Sequence, residues 1–308
     1  MIITLRQLEY FAMVADQGTV TAAAQQLYLS QSAVSNAIAD LERLLDVKLF
    51  VRHARGLSLT REGRAVLSQA QFLLRDAADL ERNAAILGDD LSGTLSVGCY
   101  STIAPLLLPR VVADFATKHP GVDVQFAEGS RSELLEDLTL GRYDVLVLYD
   151  YRFKDDLSEI GQSTPLGSIP PYALLPPEHR LTGCGPVALA DLAADPLILF
   201  GLEPADQYFL SLFELEGLTP NVRYRTGNYE VLRGLVARGV GYSLLTQRTR
   251  QTTSYEGLAY SAAELEGNYE PLGVIAVTPS RHRLTRRVDA FVNSATAVFA
   301  EAPTYDQE

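Results

Sequence analysis

The chain has 308 residues, 47% of them hydrophobic and 21% charged. That is enough for two or three domains with real cores, and it is not the composition of a disordered chain. Its 26 basic residues against 38 acidic ones give a net charge of −12, which speaks against a surface that binds polyanions throughout. The charge is uneven, however: residues 1–64 hold seven Lys and Arg against six Asp and Glu, and residues 65–308 hold 19 against 32. Any affinity for nucleic acid must therefore sit in the first fifth of the chain. Cys99 and Cys184 stand 85 positions apart, which excludes CxxC motifs, a clustered Cys/His metal site and a disulfide framework. The opening MIITLRQLEYF, with Arg6 and Glu9, reads as an amphipathic helix and not as a signal peptide. No apolar run approaches the roughly 18 residues of a membrane span. The expectation is a soluble, cytoplasmic protein with no membrane partner.

Leu5, Leu8, Phe11, Ala12 and Ala15 recur at helical spacing, so residues 4–16 are predicted as a first helix ending at Gly18. Thr19 or Thr21 can cap a short second helix that turns Ala23, Ala24 and Leu27 inward. The run Ala22-Ala23-Ala24 lets two helices cross closely. After Tyr28-Leu29-Ser30, a third helix carries the stripe Val34, Ile38, Leu41 and Leu45, with Ser30 as its cap. Two helices joined by a tight turn, the second opening on short polar side chains, make a helix-turn-helix. Gln31, Ser32, Ser35 and Asn36 lie away from the stripe, and all four can hydrogen-bond base edges. Six basic residues then crowd positions 43–64 (Arg43, Lys48, Arg52, Arg55, Arg61 and Arg64), against Asp46 and Glu62. Leu57 and Leu59 alternate with polar residues after Gly56, which suits a short β-ribbon wing. On that wing Arg52, His53 and Arg55 would reach phosphates or the minor groove.

The segment GTVTAAAQQLYLSQSAVSNAIADLERLLDVKLFVRHARGLSLTREG resembles the winged helix-turn-helix of LysR-type transcriptional regulators. The match runs through Thr21, Ala23, Ala24, Leu27, Ser30, Gln31, Ala33, Ser35, Ile38, Leu41, Glu42, Leu45, Leu49, Phe50, Arg52, Leu59, Thr60 and Gly63. The pattern departs at Ser32, where the family usually has Pro, at Asn36, where a basic or longer polar residue is common, and at Asp46, where Gly is common. Two of these lie on the reading face, so they bear on the operator sequence and not on the DNA-binding role. The DNA-contacting set expected from the residues and the resemblance together is Thr21, Gln31, Ser32, Ser35, Asn36, Arg52, His53, Arg55 and Arg61.

Residues 62–88 have no Pro and no Gly between Gly63 and Gly88. Val66, Ala70, Leu73, Ala77, Leu80, Ala84 and Leu87 follow spacings of 4, 3, 4, 3, 4, 3, a heptad seam too narrow for one helix to bury alone. The expected partner is the same helix of a second chain; the plainer reading is a helix packed on its own domain. The resemblance implies a dimerising linker helix here, with a homodimer or a homotetramer presenting paired recognition helices to a two-fold operator. Gly88-Asp89-Asp90-Leu91-Ser92-Gly93 is the hinge.

From Thr94 strands and helices alternate. TLSVGCY, VDVQFAE and YDVLVLY are predicted strands, separated by helices over 102–118 and 132–140, hence a parallel βαβαβ sheet. A second alternation follows: PYALLP, PLILF, a helix over 204–216, NVRYRT, a helix over 228–237, GVGYSLLT and GLAYSA. PLGVIAVT and a helix over 284–299 return to the first lobe. Two α/β lobes with two crossovers resemble the periplasmic-binding-protein fold, which is also that of LysR-family effector domains. The expected fold is thus an N-terminal all-α winged helix-turn-helix with a long linker helix, then an α/β two-lobed periplasmic-binding-protein-like domain. Its expected parts are residues 1–60 (DNA-binding), 61–88 (linker), 89–93 (hinge), 94–162 with 267–300 (lobe I) and 163–266 (lobe II).

Ligands of open parallel sheets bind beyond the carboxyl ends of strands. That rule selects Tyr100, Ser101, Thr102, Glu128, Ser130 and Tyr149 in the first lobe, and Phe200, Gly201, Thr226, Asn228 and Thr246 in the second. Ser101, Thr102, Ser130, Thr226 and Asn228 are also natural helix caps. Capping alone accounts for any one of them; five converging on one cleft point to a ligand. Helix N-termini favour an anion, so a small carboxylate is the default. Glu128 and Asp150 work against it and leave a cationic or zwitterionic ligand open. Gly239-Val240-Gly241 precedes a strand and lacks a third Gly, so it is not a dinucleotide turn. The four histidines are scattered, and neither a GxSxG nor a P-loop occurs. No catalytic residue, metal or cofactor is therefore expected, only a small-molecule effector of unknown identity. Cys99, beside the predicted pocket, is either a buried small hydrophobe or a thiol sensor. The expected function is a LysR-type regulator whose promoter binding responds to that effector. The alternative is a solute-binding or enzymatic α/β protein with an N-terminal assembly domain.

Overall fold

The structure is a computed structural model and describes residues 2–54, 56–83, 91–151, 157, 160–249, 251–280 and 285–300. Arg55, Ala84, Leu87 and the first residues of the predicted hinge lie outside the described residues.

Helices α1 (Leu5–Gln17), α2 (Val20–Gln26) and α3 (Gln31–Leu45) form where periodicity and caps place them. Thr4 and Gln7 make a capping box on α1, and Gly18, at φ 67°, ends it in the left-handed conformation that glycine takes without strain. Thr19 caps α2 and Ser30 caps α3. Leu8, Phe11, Val14, Ala23, Ala24, Val34, Ile38 and Leu41 are buried together. The hairpin of β1 (Phe50–His53) and β2 (Gly56–Leu59) follows, antiparallel with Arg52 opposite Leu57. Helix α4 (Arg61–Asn83) leaves it and buries Leu67 and Ala70 in the same core.

Strand β3 (Gly93–Tyr100) opens the α/β region, followed by α5 (Ala104–Lys118), β4 (Val122–Gly129), α6 (Arg131–Thr139) and β5 (Val145–Asp150). β3 pairs in parallel with both β4 and β5. Strand β6 (Gly161–Ile169) leads to β7 (Tyr172–Leu175), α7 (Leu189–Leu192), β8 (Pro196–Phe200), α8 (Ala205–Leu215) and β9 (Asn221–Thr226). Then come α9 (Tyr229–Ala237), β10 (Ser243–Leu245), β11 (Ser261–Glu264), β12 (Leu272–Pro279) and α10 (Arg286–Ala300). β12 returns to the first sheet, whose order is β4-β3-β5-β12-β6.

Three features differ from the sequence reading. β6, GQSTPLGSI, has neither alternation nor an apolar run; it is the last strand of its sheet, an edge position where Pro165 is tolerated. Helix α5 starts at Ala104, with Ile103 at its cap position and no side chain capping it, so Ser101 and Thr102 are not caps. In the second lobe β8 and β9 are parallel, and β10 and β11 both run antiparallel to β7. The predicted strand GVGYSLLT shrinks to three residues because Gly239 turns at φ 76°. The backbone divides into two compact units, Met1–Val147 with Asp156–Thr164 and Ala276–Ala295, and Leu148–Asp155 with Pro165–Ile275 and Thr296–Glu308.

Candidate nucleic-acid interface and ligand-facing strand ends

The reading face of α3 forms because its apolar stripe is spent on the core. With Val34, Ile38 and Leu41 buried, Gln31, Ser32 and Asn36 are exposed and Ser35 is half-buried at the border. Ser32 Oγ lies 3.1 Å from Ser30 Oγ, so it is coupled to the cap that starts the helix. Thr21 is exposed on α2.

The wing is fastened at both ends. At its tip, Leu57 N–H donates to the Gly18 carbonyl at 2.8 Å, and a Cβ on Gly56 would fall 2.5 Å from that same oxygen. At its base, Glu42 accepts the backbone N–H of Leu49 at 2.8 Å and pairs with Lys48 at 2.6 Å. Burial pushes the Glu42 carboxyl up, but Lys48 and the N–H groups of Leu49 and Phe50 outweigh it and hold it below the usual carboxylate range. Thr60 Oγ1 donates to the Lys48 carbonyl at 2.6 Å and accepts from Gly63 N–H at 2.8 Å. A Cβ on Gly63 would stand 2.1 Å from the Leu49 carbonyl oxygen. Glu42, Thr60 and Gly63 belong to the sequence motif, yet their task as wing anchors is visible only in three dimensions.

These contacts also sort the cations. Arg43 pairs with Asp40 at 2.7 Å, Lys48 with Glu42, and Arg64 donates to the Leu59 carbonyl at 3.2 Å. Arg52 and Arg61 are exposed and, among the described residues, carry no ion pair or side-chain hydrogen bond. His53 is exposed at the end of β1.

Helix α4 is two-faced. Leu67 and Ala70 are buried against their own chain, whereas Leu73 is 53% exposed and Leu80 71%. Val66 and Ala77 are half-buried. The predicted seam therefore shares Ala70 with the intrachain core and presents Leu73 and Leu80 as an apolar ridge.

In the first unit, Tyr100 and Thr102 are buried where β3 ends. Ser101 donates both its N–H, at 3.1 Å, and its hydroxyl, at 2.9 Å, to the Gly129 carbonyl, tying the ends of β3 and β4 together. The N-terminus of α5 beside them has no side-chain cap; Pro105 has no N–H, and the amides of Leu106 and Leu107 donate to the Ile103 carbonyl at 3.0 and 3.1 Å. Ser130, by contrast, caps α6 in a box with Glu133. Glu128 is exposed. Cys99, opposite Glu128 in the ladder, is fully buried; burial first and the Glu128 charge second push its thiol far up.

In the second unit, Tyr149 is buried and meets Tyr151 edge-on at 5.7 Å, and Tyr151 meets Tyr208 at 6.0 Å. Phe200, the last residue of β8, stacks on Tyr229 at 4.3 Å with 12° between the planes. Gly201 N–H donates to the Thr226 carbonyl at 2.9 Å, and Thr226 Oγ1 accepts from Asn228 N–H at 3.2 Å. Asn228 caps α9, its Oδ1 accepting from Glu230 N–H at 2.9 Å and Val231 N–H at 3.1 Å. Thr246 is buried where β10 ends.

Two family models match the chain: the LysR substrate binding domain over residues 88–300, and the bacterial regulatory helix-turn-helix protein of the lysR family over residues 5–64. The chain is 31% identical over 252 residues to the HTH-type transcriptional regulator CfxR of Cupriavidus necator, covering 80% of this chain and 77% of that one. It is 29% identical over 243 residues to a hydrogen peroxide-inducible genes activator of Escherichia coli, covering 78% of each. Among solved structures, HinK, a LysR family transcriptional regulator from Pseudomonas aeruginosa, superposes with a TM-score of 0.65 at 35% identity. That superposition covers 97% of this chain and 99% of HinK.

Proposed function

The chain belongs to the LysR family of bacterial transcriptional regulators, and we propose that it binds promoter DNA as a homodimer, or as paired dimers, under control of a small-molecule effector held between its two C-terminal lobes. The observation that carries the DNA-binding reading is the exposed polar face of α3 beside a wing whose Arg52 and Arg61 have no intramolecular partner among the described residues. Gln31, Ser32, Ser35 and Asn36 read bases; Arg52, Arg55 and Arg61 neutralise phosphates, with His53 and Thr21 alongside. Effector binding draws on the strand ends: the hydroxyls of Ser101 and Thr102 from one lobe, and the Phe200 and Asn228 region from the other. Closure of the lobes on the ligand alters the spacing of the DNA-binding heads.

In this reading the signal is a reversible ligand and not oxidation of Cys99. Oxidation needs a thiolate that peroxide can reach, whereas Cys99 is buried with its ionisation suppressed.

The experiment is a gel shift on the chain's own promoter region across a salt series. Binding weakens steeply with salt when phosphates are neutralised. Arg52→Ala lowers affinity for all sequences and reduces the salt slope by about one for each phosphate it no longer neutralises, while Ser35→Ala changes sequence preference. Absence of promoter binding, together with turnover of a metabolite, would favour a solute-binding or enzymatic role instead.

A further inference from the structure

Helix α9 carries a buried cation. Arg233 is 7% exposed, on the same face as the buried Leu232 and Val236. A guanidinium removed from water is stable only when its donors find acceptors. Glu230, three residues earlier, holds Nη1. Nε and Nη2 are screened from solvent and have no hydrogen-bond partner among the described residues. Those two nitrogens form one edge of the guanidinium plane, a pair of parallel N–H donors that matches the two oxygens of a carboxylate.

The surroundings hold that edge in place. The guanidinium lies over the Tyr229 ring, 5.6 Å from its centroid, and Tyr229 is stacked on Phe200. Tyr172 and Tyr260 are near enough for their hydroxyls to interact electrostatically with Arg233. Tyr172 donates to the Gln247 carbonyl at 3.0 Å and Tyr260 to the Gln251 carbonyl at 2.9 Å, and neither hydroxyl oxygen accepts a hydrogen bond from Nε or Nη2. Helical side chains lean toward the helix N-terminus, so Arg233 leans toward Asn228 and the carboxyl ends of β8 and β9, the end where ligands of such sheets bind. The amides at that end of α9 are already taken by Asn228 Oδ1. In this lobe the anion-seeking group is therefore a side chain and not the helix terminus.

We propose that the Nε–Nη2 edge of Arg233 is the docking edge for a carboxylate of the effector, with Glu230 as the positioning residue that clamps the far side of the guanidinium. The inference rests on the effector reading above and deepens it: the ligand is an organic carboxylate whose charged head enters the second lobe. The dry surroundings strengthen such a bond, since neither partner then competes with water.

The test uses the full chain. Titration calorimetry and thermal shifts are run with sodium acetate, succinate and benzoate, against sodium chloride, sodium sulfate and benzylammonium chloride at matched ionic strength. The expected result is binding and a raised melting temperature with at least one carboxylate, and neither with chloride, sulfate nor the amine. Arg233→Lys is the main variant, because it keeps the charge beside Glu230 and removes only the two-toothed edge. Its carboxylate affinity should fall on the order of tenfold or more, with promoter binding in the absence of carboxylate unchanged. Unaltered carboxylate affinity in Arg233→Lys, binding of sulfate or the amine alone, or binding of none of the carboxylates overturns the proposal. Loss of promoter binding by the unmodified chain would instead defeat the regulator reading, and it is scored separately from the calorimetry.

Discussion

Arg75 of α4 stands 3.4 Å from Asp144 at the foot of β5, and its Nη1 also donates to the Gly141 carbonyl. Asp144 in turn accepts the Ser96 N–H at 2.8 Å. Gly141 sits so close to α4 that a Cβ there would lie 2.9 Å from the Ser68 carbonyl oxygen, and its φ of 75° favours glycine. Leu140 is buried in the helix-turn-helix core, and Arg142 reaches Asp16 of α1 at 3.7 Å. The turn after α6 is thus packed directly against α1 and α4.

Arg75→Ala removes this clasp and leaves Asp144 largely buried without its cation. The expected loss is about 1.5–3 kcal/mol for hydrogen bonds to a charged group, read as a lower urea midpoint. An unchanged midpoint would show that this packing holds without Arg75.

Glu42 makes the stability of the head depend on acid. Its folded pKa lies below the ordinary carboxylate value. The stabilisation is therefore complete above the unfolded pKa and is lost as pH falls through the lowered folded value. Glu42→Gln should cost about 1–3 kcal/mol at neutral pH and flatten that acid limb. The measurement is a set of denaturation midpoints between neutral and acid pH, on the chain and on the variant. Parallel curves would place the acid sensitivity in another carboxylate.

How much of this was legible in the sequence depended on the range of the contact. The caps Thr19, Ser30, Ser130 and Asn228 act within three residues, and periodicity places α1, α3 and β9 because each element repeats its own pattern. β6 escaped because an edge strand need not alternate. Ser101 and Thr102 look like caps, but the chain runs on through Ile103 before α5 begins. Arg75 and Arg233 carry no local signature. One meets a residue 69 positions away, and the other has an ordinary i,i+3 pair and becomes unusual only through its burial.

The two thiols should separate by reactivity. Cys184 is exposed and Cys99 fully buried, with the Cys99 thiolate disfavoured by burial and by Glu128. In the native chain, iodoacetamide should label Cys184 and spare Cys99; in urea both should react. Cys99→Ser should leave DNA binding insensitive to peroxide treatment, as in the unaltered chain. Rapid native labelling of Cys99, followed by loss of promoter binding, would revive a thiol-sensing role.

The proposed dimer puts the ridge on α4 at its interface. Leu73 and Leu80 are seven residues apart, on one helical line, and both are more than half exposed, while Ala70 in the same seam is already buried within its own chain. Burying one leucine is worth about 1.5–3 kcal/mol, and a two-fold pairing counts each side chain twice. Leu73→Asp with Leu80→Asp replaces that gain by a cost, since four carboxylates would face one another across the helices. Sedimentation velocity should then show monomers where the unaltered chain sediments as a dimer or larger. The head itself stays folded, because neither leucine belongs to its core. Promoter affinity should collapse toward the non-specific level, as one recognition helix alone meets half an operator. A double variant that still sediments as a dimer and binds promoter DNA normally would move the interface off this helix.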